Sequence, residues 1–353
     1  MASLIKEPAS SVIPAARVRD IRRRAGRRPA RVIAALVALL TAVFFARVLL
    51  GDYTVTPGDF LTIVQGGTLE NARGARFIVM EEKLPRAVLG LLVGLAFGAA
   101  GATFQLLLRN PLASPDIIGI STGASLGAVL GIVFWAASGL TLSLFAIGFS
   151  LLVAVGVMGL AAGRTNVGNR FILMGIGVSA LAGAIINYLL ARMSLQSASS
   201  ATLWMTGSLS VANWNRIGIV AAALALIVPV VFALHTRLHA VAVGEDLAHS
   251  LGLNVARTRW TFIVLGVLLA AVATAASGPI AFVAFVSGPI ARRLIGGRHS
   301  LLASALTGAI IVIAADAIAT DYIPSGPLPV GILTGALGAP ALIWLLVQAQ
   351  KET

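Results

Sequence analysis

Cysteine is absent from this chain, so no disulfide framework and no thiolate metal site can be built from it, and its redox compartment is left open. Charge is scarce: 11% of the residues are Asp, Glu, Lys or Arg, against 58% hydrophobic, which is too apolar for a soluble domain. Catalytic signatures are missing as well. There is no HExxH and no Cys/His cluster, so no catalytic residue and no metal ligand is assigned and the chain is not read as an enzyme. Nor is there a GxxxxGKS or GxxxxGKT phosphate loop; if ATP drives this protein, another chain hydrolyses it.

What is present is Ala, Leu, Val, Ile and Gly in long runs. Each membrane crossing needs roughly 20 apolar residues at about 1.5 Å per residue, and about ten such windows fit the 353 residues. A transmembrane barrel would show short alternating segments instead. The expected fold is therefore all-α, a polytopic membrane protein. Its net charge of +13 is unevenly spread, with Arg17, Arg19, Arg22, Arg23, Arg24, Arg27, Arg28 and Arg31 crowded before the first apolar run. That pattern places the N-terminus in the cytoplasm and is also suited to anionic headgroups rather than nucleic acid. A cleaved signal peptide is not expected, because the first apolar run is long and no small-residue cleavage site follows a short one.

Residues 1–30 read as a basic, disordered cytoplasmic tail, and 31–350 as one membrane domain. The expected spans are 32–50, 84–108, 115–137, 140–162, 171–191, 216–234, 261–277, 280–295, 301–322 and 329–348. Between them, 51–82 and 192–213 read as external segments, the turns around Arg109 and around Arg164 and Arg170 as internal ones, and His235 to Arg259 as the longest internal loop. An even number of spans puts both termini on the same side. GAAGATFQ with NPLASPDIIG, and AAVATAASGPIAF with SGPIARRLIG, form a weak echo between spans of opposite direction, as in an inverted repeat.

The stretch from Lys83 to Gly131 organises the rest. Gly90, Gly94 and Gly98 share one helical stripe and Gly119, Gly123, Gly127 and Gly131 another, a spacing that lets helix backbones approach closely in lipid. If those helices also slide, bulky substitution at Gly94 or Gly123 blocks transport without preventing assembly. Lys83 and Arg86 stand at the outer end of the second span, either snorkelling to headgroups or receiving acids from an external protein. Asp316 is the one acid well inside a span: either a relay or a bond to a neighbouring helix. His235, His239, His249 and His299 all fall in expected internal loops. Gly244, Glu245, Asp246, Leu247, Leu251 and Gly252 form a short amphipathic helix with acids in its first turn, which is either a docking element for a soluble partner or an ordinary capped loop.

KLPR before an LLVG run, LRNPLASPDIIGISTGAS, GEDLAHSLGLNV, GPIAFVAFVSGPIARRL and ADAIATDYIPSGPLPVGILTGALGAPALIWLL occur in that order. From about residue 30 to the end the chain thereby resembles the FecCD-type permeases, the membrane subunits of ABC importers for ferric siderophores, haem and cobalamin. The resemblance implies a type II importer permease of ten spans, in the cytoplasmic (inner) membrane. It implies as partners a second permease, a paralogue or another copy, a cytoplasmic ATPase dimer that binds ATP and magnesium, and an external substrate-binding protein, with no cofactor on this chain. Lys83 and Arg86 then match the basic pair that meets the binding protein, and Gly244 to Asn254, within a segment of about 240–254, the ATPase-coupling helix. Gln105, Ser121, Thr122 and Asn187 become candidates for the translocation path. Thr320 stands where some members carry a further base, and Gly288-Pro289 where many have Pro-His; the latter favours a ferric-siderophore permease in a heterodimer. The alternatives are a haem or cobalamin permease of the same family, or an ion-coupled secondary transporter.

Overall fold

The computed structural model describes residues 15–67, 74–161, 167–324 and 326–351, and among these there is helix and no strand. Helix α1 (Ala15–Leu49) is followed by the short α2 (Pro57–Val64), whose N-cap Thr56 accepts the Asp59 N–H at 3.1 Å with Pro57 in the first turn. Then come α3 (Ala75–Phe77), a π-turn at Ile78–Lys83, and α4 (Leu84–Leu108). The chain continues through a 3₁₀ turn (Pro115–Ile118) into α5 (Ile120–Trp135), α6 (Gly139–Ala161), α7 (Val167–Arg192), α8 (Leu195–Thr206), α9 (Trp214–Val243) and α10 (Glu245–Ser250). It closes with α11 (Val255–Ser277), α12 (Val283–Leu294), α13 (Leu301–Asp321) and α14 (Val330–Lys351).

Each of the ten expected spans has its helix, but not always with the expected reach. Among the described residues seven helices are long and apolar enough to cross a membrane, and α5 and the Val330–Ile343 part of α14 are shorter apolar helices. At 1.5 Å per residue the twelve residues of α12 rise only about 18 Å, little more than half the hydrocarbon core. Helix α1 starts at Ala15, so the expected tail is helical in part; Arg and Ala are good helix formers and extend an existing helix without a new nucleus. Residues 1–14, Arg73 and Arg164 lie outside the described residues.

Three further boundaries differ for identifiable reasons. The second span reaches back to Ala75, because the wide turn ahead of Pro85 accommodates a ring that would crowd the Glu81 carbonyl. The third does not begin at Pro115: Ser114 caps a 3₁₀ turn and Gly119, at φ 88°, ends it before α5 starts. Leu195–Thr206, within a segment expected to be external, is a helix capped by Ser194. His235 and His239 belong to α9 rather than to a loop.

The glycine stripes are where the bundle is tightest. A methyl on Gly94 would sit 2.5 Å from Ala309 Cα, one on Gly98 would overlap Ser304 O, and one on Gly308 would overlap Gly94 O. So α4 and α13 meet backbone to backbone. The second stripe does the same for α5 and α6, with Gly123 against Val153 and Phe149, and Gly127 and Gly131 against Phe145. Gly101 faces the backbone of α12 at Ala284.

The sequence echo has a structural counterpart. In each half a long helix (α4, α11) runs into an irregular stretch containing a left-handed residue (Gly119 at φ 88°, Phe282 at φ 64°) and then a shorter helix (α5, α12). The two long helices are antiparallel. Trp214 Nε1 donates to Met80 O near the start of the α4 run, while Arg216 donates to Ala276 O at the end of α11. One end of the bundle therefore holds the ends of α1, α11 and α13 and the starts of the α4 run and α9. The opposite end holds the end of α4, tied to α9 by Arg109 Nη2 and Val241 O, together with α10.

Candidate functional site

Three regions carry the polar chemistry of this apolar chain: a buried charge cluster at the first end, a cavity between the two irregular stretches, and α10 at the opposite end.

Asp316, 1% exposed, centres the cluster on the last turns of α13. Its carboxylate accepts from Arg47 Nε of α1 at 2.9 Å and from Arg86 Nε of α4 at 3.0 Å, and Arg86 Nη2 lies 2.9 Å away. Arg47 Nη1 also reaches Asp321 at 3.2 Å, and Arg86 Nη2 donates to Thr320 Oγ1 at 2.7 Å. Lys83 Nζ donates to the carbonyls of Leu50 and Tyr53 at 2.6 and 2.5 Å. Charge-assisted bonds of this kind are the stronger class, and burial makes each partner costly to remove. Asp316 thus bonds neighbouring helices. Lys83 and Arg86, 6% and 8% exposed, face inward, where three carbonyl or carboxylate groups of this chain hold them. Arg47 escapes a reading by span, because one base near the end of an apolar run is ordinary at a membrane boundary; its isolation in VFFARVLL is the only signal.

A cavity of about 560 Å³ is lined by the 3₁₀ turn and α5 on one side (Asp116, Ser121), by the α11–α12 link (Phe282) and α12 (Phe285), and by α8 and α14 (Thr206, Ile332). That volume lies within the range of pockets for whole small molecules. Ser121 and Ser114 both donate to the Asp116 carboxylate, so the polar corner of the cavity is internally bonded. Of the four residues considered for the path, only Ser121 lines it. Thr122 is half-buried beside it, and Asn187 lies exposed on α7.

Gln105 stands behind the wall for a reason legible in the covalent structure. Pro289 has no N–H to give to the carbonyl of Phe285 one turn earlier. Gln105 Nε2, from α4, donates to that carbonyl at 3.0 Å, and a methyl on Gly288 would overlap Gln105 Oε1. Proline, glycine and glutamine thus form one interlocking unit across two helices. Replacing Gln105 with Leu leaves a buried carbonyl without a partner and should cost about 1–3 kcal/mol, read as a lowered unfolding midpoint; Gln105→Glu, which loses the donor at Nε2, should cost at least as much.

At the opposite end α10 has the expected acids in its first turn and closes on Gly252, at φ 74°, with Gly252 N donating to His249 O at 2.9 Å. Ala248 is fully buried against Val241 and Val255, whereas Leu247 and Leu251 are 46% and 62% exposed. Glu245 pairs with Arg259 of α11. Two leucines on the outer side of a short, braced helix make an apolar spot that this chain does not cover. His249 lies on α10; His299, half-buried ahead of α13, has its pKa lowered by burial and further by Arg292 and His239, which keeps its ring neutral near pH 7.

The model of the FecCD transport family matches residues 39–348. The ferric enterobactin transport system permease protein FepG of Escherichia coli (strain K12) is 37% identical over 79% of this chain and 85% of its own length. The Fe(3+)-citrate import system permease protein YfmE of Bacillus subtilis (strain 168) is 33% identical over 93% of this chain and 98% of its own. Among solved structures, a metal-chelate type ABC transporter in an inward-facing conformation superposes with a TM-score of 0.79 at 25% identity, covering 90% of this chain and 99% of that one.

Proposed function

Since the chain belongs to the FecCD transport family, we propose that it is the membrane-spanning permease subunit of an ATP-driven importer that carries a ferric siderophore into the cell by alternating access. The observation that carries this reading is the match, over 79% and 93% of the chain, to permeases named for ferric enterobactin and Fe(3+)-citrate. The chelate already fills the coordination shell of its iron, so the path needs bulk and few polar groups, as the 560 Å³ cavity offers.

The orientation follows from charge. The end that bears α10 also bears Arg28, Arg31, Arg109, Arg237, Arg257, Arg292, Arg293 and Arg298 against the acids Glu245 and Asp246, which favours the cytoplasm for that end and for both termini. Leu247 and Leu251 then face an ATPase dimer, which binds and hydrolyses ATP with magnesium. At the outer end, Lys83 and Arg86 meet the carboxylates of a binding protein by exchanging them for the carbonyls and the carboxylate that hold them within the chain. Exposed apolar faces of α7 and α14, with Leu173, Ile176, Ile332 and Leu337, are open to a second permease.

The test is reconstitution with the ATPase, the second permease and binding protein loaded with ferric siderophore. Uptake should require ATP and should fail on an ion gradient alone; uptake driven by the gradient without nucleotide would establish the secondary-transporter alternative instead. Changing Leu247 and Leu251 together to Asp should cut substrate-stimulated ATP hydrolysis by about tenfold or more, since central apolar anchors contribute about 2 kcal/mol or more to an interface. The permease itself should keep its unfolding midpoint, because neither side chain touches its core.

A further inference from the structure

A second, smaller crevice lies on the outside of the bundle, between α6, α9 and α11 at the outer end, with a volume of about 220 Å³. Its walls are Leu144, Ile147, Ile219 and Ala223, and Arg216, flanked by Asn213 and Asn215, is at its mouth. Leu140, Leu144 and Ile219 are exposed, so the crevice opens on apolar helix faces that look outward. The neighbouring Trp214, with its ring nitrogen bonded to Met80 O at 2.8 Å, marks this level as the membrane–water boundary.

Arg216 is half-buried there. Its Nη1 donates to Ala276 O at 2.8 Å, where the last turn of α11 leaves a free carbonyl, and Ser143 Oγ donates to Ala275 O at 2.7 Å. Among the described residues no carboxylate pairs with Arg216. An unpaired guanidinium at headgroup depth, above an apolar slot, is complementary to one class of molecule. The slot falls short of the roughly 300 Å³ at which pockets for whole small molecules begin. It therefore takes part of a chain rather than a compact solute.

We propose that this crevice binds an anionic phospholipid of the outer leaflet, with its phosphate on the free N–H groups of Arg216 and one acyl chain between Leu144, Ile219 and Ala223. Such a lipid would cover the junction of α6, α9 and α11 that the protein leaves open, and would do so away from the cavity, the charge cluster and α10.

Native mass spectrometry of the purified full-length permease tests this, with phosphatidylglycerol and phosphatidylcholine of identical chains as probes. The wild-type protein should keep one phosphatidylglycerol through delipidation in preference to phosphatidylcholine. Arg216→Gln should reduce that retention about fivefold, the weight of one basic residue at an anionic surface, and Arg216→Lys should restore most of it. Ala223→Phe, which fills the slot and keeps the charge, should also reduce retention. Equal retention of the two lipids by the wild type, or undiminished phosphatidylglycerol in the Ala223→Phe variant, overturns the proposal. So does a crosslink showing that a second protein chain occupies the crevice at Leu144. Should Arg216→Gln not fold, Arg216→Lys and Ala223→Phe still decide the matter.

Discussion

Replacing Asp316 with Ala is expected to cost the permease about 3–5 kcal/mol, the largest effect of any single side-chain deletion outside its backbone contacts. The carboxylate sits between Arg47 and Arg86, both almost wholly buried. Without it Arg86 keeps only Thr320 Oγ1, and Arg47 keeps Asp321 at 3.2 Å. The Arg86 guanidinium would then be left without a carboxylate, away from water. Since each kcal/mol moves the unfolding midpoint of a large domain by roughly 2 °C, a drop of about 6–10 °C in detergent is expected, nearly independent of salt because the pair is shielded from it. Replacing Arg47 and Arg86 with Met and Asp316 with Leu together should recover most of that loss, because apolar residues of similar volume substitute for buried ion pairs at little cost. An unchanged midpoint in the Asp316→Ala protein would show that the cluster is hydrated and does not hold the helices.

The same burial changes how docking can be probed. Charge reversal at Lys83 and Arg86 would report on folding before it reported on a binding protein. Lys83→Gln is the cleaner probe, because the amide can still donate to Leu50 O and Tyr53 O while the charge is removed. Binding-protein affinity at two salt concentrations, with the unfolding midpoint as control, separates the two roles.

Why the spans were legible and this cluster was not follows from range. A span declares itself within about 20 residues, and the stop at Arg109 and the cap at Gly252 are local chemistry as well. The partner of Asp316 is Arg47, 269 residues away, and nothing in the local pattern of either residue points to the other. Phe282 at φ 64° is illegible for a different reason: a bulky residue in the left-handed region is held there by its surroundings, and no local propensity would choose it. Gln105 shows how chemistry recovers part of what pattern misses. It reads as polar company in an apolar span, hence as a path residue, until Pro289 is recognised as having left a carbonyl free for it. The cavity residues fall between these cases. Ser121 stands out in the sequence by its hydroxyl, while Phe282 and Ile332 are indistinguishable from core until the fold brings α5, α12 and α14 together.

Substitution of Gly101 by Leu should leave no folded permease to purify. The Cβ position at Gly101 overlaps the carbonyl oxygen of Ala284, a backbone atom inside α12 that has no rotamer to change. Even Gly101→Ala should lose stability, because the gain of up to about 1 kcal/mol in helix propensity is smaller than the roughly 1–3 kcal/mol or more that overpacking costs in a rigid site. Gly94→Leu meets Ala309 Cα and Gly308 O in the same way, so it should fail in assembly and transport together rather than stall a sliding helix within an assembled bundle. Two other glycines calibrate the series. A methyl on Gly90 touches the end of the flexible Leu209 side chain at 3.0 Å, and one on Gly156 of α6 meets nothing within 4 Å. Gly90→Ala should therefore be nearly neutral, and Gly156→Ala should gain up to about 1 kcal/mol. The yield of monodisperse protein and its unfolding midpoint across the four sites measure this order directly. If Gly101→Ala proved as harmless as Gly156→Ala, then α4 and α12 would have to separate readily, and the close backbone contact between them would belong to one conformation of the transport cycle rather than to the folded core.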